Sequence, residues 1–384
     1  MNKWKMLGAL TLAMGLVLAG TASGGVVYVH PDSGAVTGWE ATITAAIAVP
    51  VVANDTILVY PGIYTEDFTI NVADVTLRSV YGKDTTTIQL VTGVGIDIEG
   101  GADGFVLGGE NGHGFNIVGN ATNTTFNIQL ANAPSGVEIS YNTINTTGNA
   151  SMGISVGAAG ATDLTISNNT FIAEDGDGSI WGPKVVDVTV SDNTFTGPDT
   201  PTSGYAIEFA GVTAIGTSTI SGNTITSYSM GVAIFHGEGT SDLTISDNAV
   251  SGCVNGIRLG QYTPTTDGDM TTVTIEENTL TDNTKAIRID AGANVKASNF
   301  VIQHNNISGS TTYGLINSNT ETVTAEENWW GSTTGPYHSS NVHGTGDEVY
   351  DTGAGAVDFV PWLDASGGNN TGGVPAALLL SASE

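Results

Sequence analysis

A short phrase recurs through the middle of the chain. It reads ISYNTI at 139–144, ISNNTF at 166–171, VSDNTF at 190–195 and ISGNTI at 220–225, then ISDNAV at 245–250, IEENTL at 275–280, IQHNNI at 302–307 and AEENWW at 325–330. Its fixed column is Asn142, Asn169, Asn193, Asn223, Asn248, Asn278, Asn305 and Asn328, with steps of 27, 24, 30, 25, 30, 27 and 23 residues. A unit that short cannot bury an apolar face alone. Neighbouring units must supply the core, so the chain must stack as a solenoid.

Each unit alternates before its Asn: Leu164 and Ile166 face one way, Thr165 and Ser167 the other. An apolar residue such as Phe171 or Ile225 follows two positions after the Asn. A chain that alternates, turns and resumes in this way has bent around a core without leaving it. The Asn is expected to take the bend itself, because it tolerates the left-handed conformation. Its amide is expected to bond to the same amide one coil on, forming a ladder. A second strand follows each phrase, as in GISV at 153–156, AIEF at 206–209, GIRL at 256–259 and AIRI at 286–289.

This pattern resembles the parallel β-helix repeat family of secreted proteins, with the right-handed coil of the pectin-lyase-like superfamily. The resemblance covers residues 26–365. It implies an all-β fold, a right-handed single-stranded parallel β-helix of about 10–12 coils, with a short N-terminal capping helix. It implies no single function, because the scaffold carries lyases, hydrolases, esterases, epimerases, adhesins and inert stalks.

The chain divides accordingly. Residues 1–24 read as a signal peptide: Lys3 and Lys5 precede an apolar run, Leu7–Gly20, too short to favour a membrane span. Leu18-Ala19-Gly20 is followed by Thr21 where a lipoprotein box needs Cys, so no lipid anchor is expected. Residues 25–365 form the β-helix domain, with cap and first coils at 25–100, the repeat body at 101–330 and a closing coil at 331–365. Within the first part, Trp39–Val49 reads as the capping helix, with Ile43, Ala46 and Ile47 on one face. Residues 101–136 read as the least regular stretch. AEENWWGSTTGP and VDFVPWL resemble the closing coil of secreted β-helix proteins, with Trp329 and Trp330 covering its end. Residues 366–384 read as a flexible tail whose apolar patch, Ala376–Leu380, is too short to span a membrane.

Nine basic against 38 acidic residues give a net charge of −29. That argues against nucleic acid, which needs Lys and Arg at its phosphates. The single cysteine, Cys253, allows no internal disulfide and reads as a small core or turn residue.

One constellation points to binding. In the second strand of each coil, the residue between two core positions faces out. That row reads Ser155, Trp181, Glu208, Ala233, Arg258, Arg288 and Ile316. Successive coils lie about 4.8 Å apart, so Arg258 and Arg288 are expected to be neighbours. Asp290 shares their face, and Phe235 and Gln261 lie close by. Trp181, Glu208, Arg258, Arg288 and Asp290 are therefore the candidate substrate-binding residues. Arginines pair carboxylates or sulfates bidentately, and an aromatic ring stacks on a sugar face. The competing reading is that Asp290 and Glu208 neutralise the arginines as surface ion pairs, which are worth little.

Catalytic residues are not identifiable. His113 sits in a Gly-His-Gly triplet like that of polygalacturonases, but those enzymes also use an Asp-Asp pair, and no Asp-Asp dipeptide occurs. His113 and His236 read as structural. Asp175-Gly176-Asp177 and Asp267-Gly268-Asp269 could supply oxygens to Ca²⁺, but neither continues into a full twelve-residue loop with a terminal Glu, and both read as plain acidic turns. His338 and His343 read as two histidines without matched acids. No metal and no cofactor are expected, with Ca²⁺ the one possible exception. The expected function is a secreted or cell-surface protein that binds polysaccharide, or serves as a structural or adhesive envelope component, without catalysis. A polysaccharide lyase or glycoside hydrolase acting on an acidic polysaccharide is the alternative.

Overall fold

The computed structural model describes residues 24–32, 38–109, 112–120, 124–146, 152–174, 178–211, 216–236, 242–260, 270, 272–292, 295–351, 355–367 and 371–373. The leader except Gly24, both Asp-Gly-Asp turns, Gln261 and the patch at 376–380 lie outside the described residues. So does the side chain of His236.

Three parallel sheets of 14, 10 and 11 strands, here sheets A, B and C, wrap one core. Each coil contributes a strand to A, then B, then C, and each strand pairs with its counterpart one coil away. The register is residue for residue. In sheet A, Ile139, Ile166, Val190, Ile220, Ile245, Ile275 and Ile302 stack in one line. All seven are fully buried. Burying each is worth about 1.5–3 kcal/mol. In sheet B the line passes through Phe171 and Phe195, whose rings stack 4.6 Å apart at 7°. Like residues meet because the sequence repeats, and the repeat is what the strand spacing selects.

The asparagine column is fully buried, but its backbone role differs from expectation. The left-handed residue is the one before each Asn: Tyr141, Asn168, Asp192, Gly222, Asp247, Glu277, His304 and Glu327, with φ between 55° and 66°. The bend at this predecessor leaves the Asn side chain pointing into the corner. There Asn169 Oδ1 accepts from the backbone N–H of Asn142 at 2.9 Å and from its Nδ2 at 3.2 Å. Asn169 Nδ2 donates to Ile139 O at 2.8 Å and Ser167 O at 3.0 Å. The pattern continues to Asn305, which donates to Asn328 Oδ1. The ladder is thus present, and it satisfies backbone groups that the turn would otherwise strand in the core.

A second corner, between sheets B and C, repeats the device with different residues. Ser227, Gly252, Asp282 and Gly309 are left-handed and precede Tyr228, Cys253, Asn283 and Ser310. The N–H of Cys253 donates to Asn283 Oδ1 at 2.9 Å, and the N–H of Tyr228 lies 3.5 Å from Cys253 Sγ. Cys253 is therefore a buried turn residue in an asparagine-like place.

Residues 101–136 are more regular than expected. They contribute Val106–Gly108, Asn116–Val118 and Thr124–Leu130, one strand to each sheet, in register with the repeats. Phe115 stands in the place of the fixed Asn there, and its N–H donates to Asn142 Oδ1 at 2.9 Å. His113 bonds Ser79 O through Nδ1 at 3.0 Å, a turn contact.

At the N-terminal end the helix is only Ile43–Ala48, because Trp39–Glu40 pairs as a strand. Ile43 and Ala46 are buried and Ile47 packs against the core. At the other end Trp330 is fully buried, whereas Trp329 is only half-buried. Trp362 shares the closing role, 2% exposed and 6.4 Å from Phe359. Residues 371–373 pair antiparallel with Trp362–Leu363.

Candidate functional site

Alternation along sheet C turns every second side chain outward. The seven residues expected to face outward stand in one line: Ser155 pairs with Trp181, Trp181 with Glu208, Glu208 with Ala233, Ala233 with Arg258, Arg258 with Arg288, and Arg288 with Ile316. Ser155, Ala233 and Ile316 are nonetheless buried, so the exposed part of the row is Trp181, Glu208, Arg258 and Arg288. The line extends to Gln129 and Asp97 at one end and to Tyr350 at the other. Those three were not legible from the asparagine phrase, because Asp97 and Gln129 precede its first copy and Tyr350 follows its last. The alternation in GVGIDI at 93–98 and TTFNIQL at 124–130 would have found two of them.

Arg258 and Arg288 do meet, and Asp290 holds both. Arg258 Nε donates to Asp290 Oδ2 at 2.9 Å, with Nη2 2.8 Å from the same oxygen. Arg288 Nε donates to Asp290 Oδ1 at 2.6 Å. The Asp290 side chain is 15% exposed and the arginines are 28% and 33% exposed, so this triad is half-buried. It carries one net positive charge in a strongly negative protein. Gly260 makes room for it: a Cβ there would lie 2.8 Å from Asp290 Oδ2 and 2.9 Å from Phe235. Arg258 also stands over the Phe235 ring, 4.9 Å from its centroid. The terminal nitrogens of Arg288 bond to no described residue, and its side chain is 33% exposed.

Glu208 does not join the triad. Burial pushes its carboxyl above the ordinary value, and the positive charge of Arg258 partly opposes the rise. Burial likewise raises the neighbouring Tyr205 hydroxyl, with the charge of Glu208 adding to it. Trp181, half-buried, stands one strand spacing away on the same row. Beyond the arginines, Tyr350 stacks on Tyr313 at 4.9 Å and 12°. The row therefore runs from an aromatic ring through a half-buried carboxyl and a cationic triad to a second aromatic pair.

Other candidates separate from it. His338 has a matched acid, contrary to expectation: its Nε2 lies 3.2 Å from Asp351 Oδ2, and it packs edge-on against Phe359 at 5.1 Å. That pair ties the closing loop to the last strand of sheet C. His343 is exposed. Among the described residues no group of three or more His, Cys, Asp or Glu side chains is placed to hold a metal ion. No described helix is long and apolar enough to cross a membrane.

A family model described as a right handed beta helix region matches residues 164–329. The architecture is a right-handed parallel β-helix. Among solved structures, the chain is similar to the tailspike protein of E. coli bacteriophage HK620 in complex with pentasaccharide, at TM-score 0.45 and 11% identity, covering 87% of this chain and 66% of that one. The chain thus spans just under two thirds of the tailspike's own length. It is also similar to the Azotobacter vinelandii mannuronan C-5 epimerase A-module, at 0.42 and 15%, covering 88% of this chain and 100% of that one. A third is the pectin methylesterase from Aspergillus niger, at 0.36 and 14%, covering 92% and 93%. No curated protein matches the sequence.

Proposed function

We propose that the outer face of sheet C is a carbohydrate-binding strip, and that the protein acts as a non-catalytic extracellular or cell-surface binder of acidic polysaccharide. The observation that carries this is the Arg258–Asp290–Arg288 triad. Asp290 engages Nε of each arginine and leaves an edge of the Arg288 fork open. An open fork beside a fixed aspartate is suited to a planar oxyanion such as a uronate carboxylate, or to a sulfate. Trp181 and Tyr350, on the same row, offer ring faces or edges to the sugars on either side.

Affinity electrophoresis of the mature chain against acidic and neutral polysaccharides tests this. The variant Arg258→Gln/Arg288→Gln/Asp290→Asn removes the charges of the triad together, so that Asp290 is not left as an unpaired carboxylate. Retardation by acidic polymers that disappears in the variant is expected. Equal retardation of both forms would refute the strip.

A second reading, cleavage of the polysaccharide, has one observation in its favour. Glu208 is a half-buried carboxyl beside Trp181 whose protonation is favoured by burial, as a general acid requires. Release of reducing ends or of unsaturated products that Glu208→Gln abolishes would establish it.

A further inference from the structure

The closing loop, pinned where Pro336 and Gly346 bridge, holds a second set of reactive groups centred on His338. The backbone N–H of Ser340 lies 3.1 Å from His338 Nδ1. That group can only donate, so Nδ1 is the acceptor and the ring proton sits on Nε2. Nε2 then donates to Asp351 Oδ2 at 3.2 Å. The Ser340 hydroxyl, 2.7 Å from Nδ1, donates to the same lone pair. A hydroxyl, an imidazole and a carboxylate thus stand in line, with the ring proton on the nitrogen that faces the acid.

The line is held from several sides. The His338 ring packs edge-on against Phe359 at 5.1 Å. Asp351 belongs to the last strand of sheet C, Val349–Asp351. Asn341, 6% exposed, fixes the chain just after Ser340: its Nδ2 donates to Thr334 O at 2.9 Å and to Pro336 O at 2.8 Å. Ser340 is exposed, whereas the His338 and Asp351 side chains are mostly covered. A reagent can therefore reach the serine while its base and the acid behind it stay in place.

We infer that Ser340 is an activated nucleophile, a covalent modification site that takes an acyl group from an activated ester. Ser340 Oγ attacks the carbonyl carbon while its proton passes to His338 Nδ1. Asp351 is a positioning residue: it orients the ring and balances the imidazolium so formed. The ester C–O bond then breaks, the leaving oxygen departs with the proton from Nδ1, and a seryl ester remains. The two backbone N–H groups nearest the hydroxyl in the chain are already engaged, that of Ser340 with Nδ1 and that of Asn341 with His338 O at 2.8 Å. Neither is available to an oxyanion, so the donor needs a good leaving group and the seryl ester is hydrolysed slowly. The step is one acylation per chain without turnover, and it stands whether or not sheet C binds glycan. Tyr337 and Val342, exposed side chains of the same loop, offer apolar surface to an aryl ester.

The test is p-nitrophenyl acetate added to the folded protein at neutral pH, with p-nitrophenolate release followed by absorbance and the acetyl group located by peptide mass spectrometry. Ser339 is the internal control: it is adjacent and exposed, and its hydroxyl bonds to no described residue. General-base assistance is typically about 100-fold or more, so Ser340 should be acetylated about 100-fold faster than Ser339. Ser340→Ala should remove the fast phase of release. His338→Gln should bring Ser340 to within about threefold of Ser339. Asp351→Asn keeps an acceptor for Nε2 and removes the charge, and should lower the preference about tenfold. Near-ultraviolet circular dichroism checks that each variant is folded, and wild type unfolded in urea should show no preference. Equal acetylation of Ser340 and Ser339 in folded wild type overturns the inference. A preference for Ser340 that survives His338→Gln in a folded protein does the same, because the imidazole would then not be the base.

Discussion

Asn142 donates twice to Asn169 Oδ1, once from its backbone N–H and once from its side-chain amide. The same pair of bonds recurs at every later step of the column, so a single oxygen closes the corner of each coil. Asn248→Ala would strand the N–H of Asn223 in the core, leave its Nδ2 with Val190 O as its one acceptor, and take the side-chain donor from Ile220 O. The expected loss is about 3 kcal/mol, read from the urea midpoint. A loss below about 0.5 kcal/mol would mean that water or relaxation replaces the ladder.

The residue before each Asn bears the backbone strain, and that can be relieved. Glu277 sits at φ 57°, the place that Gly222 fills two coils earlier. Glu277→Gly should stabilise the protein by about 0.5–1 kcal/mol, and Glu277→Val should destabilise it by about 1–2 kcal/mol. Opposite signs for the two substitutions in thermal unfolding would separate strain from loss of the side chain.

Cys253 gives a pH signature. Burial pushes its thiol up from 9.0 to about 11. A raised folded-state value means that the neutral thiol's contribution is complete below about pH 9 and is lost as pH rises toward 11, up to about 3 kcal/mol. Unfolding free energy measured from pH 8 to 11 should show this fall, and Cys253→Ser should flatten it. Cys253→Asn should fit the second corner and give the Tyr228 N–H a stronger acceptor.

A net charge of −29 is spread over a fold whose left-handed corner positions include Asp74, Asp163, Asp187, Asp192, Asp242, Asp247, Glu277, Asp282 and Glu327. Self-repulsion at that density opposes the compact state and is screened by salt. The melting temperature should rise by several degrees between about 0.02 and 0.5 M NaCl, most steeply at the low end. A flat profile would show that the corner acids are neutralised within the structure.

The sequence displayed what repeats. Ile166 and Asn169 recur in kind from coil to coil, so the core, the ladder and the outward row through Arg258 and Arg288 were legible in period and register. The left-handed position was not, because Tyr141, Asp192, Gly222, Glu277 and His304 share backbone geometry and no side-chain type. The second corner hid for the same reason: Tyr228, Cys253 and Asn283 are unlike one another. Asp290 was placed on the correct face, but only the close approach past Gly260 shows why one carboxylate reaches both arginines. Asp97 and Gln129 went unseen because their coils precede the first asparagine of the column.

The most direct test of the binding strip is the affinity of the protein for a galacturonate hexamer, measured by calorimetry at physiological salt beside Arg258→Gln/Arg288→Gln/Asp290→Asn. The strip predicts saturable one-to-one binding that falls at least about tenfold in the variant while its melting temperature stays within a few degrees of wild type. Equal affinity in both proteins, or no binding by either, would contradict it and leave the two arginines as half-buried ion pairs on a structural solenoid.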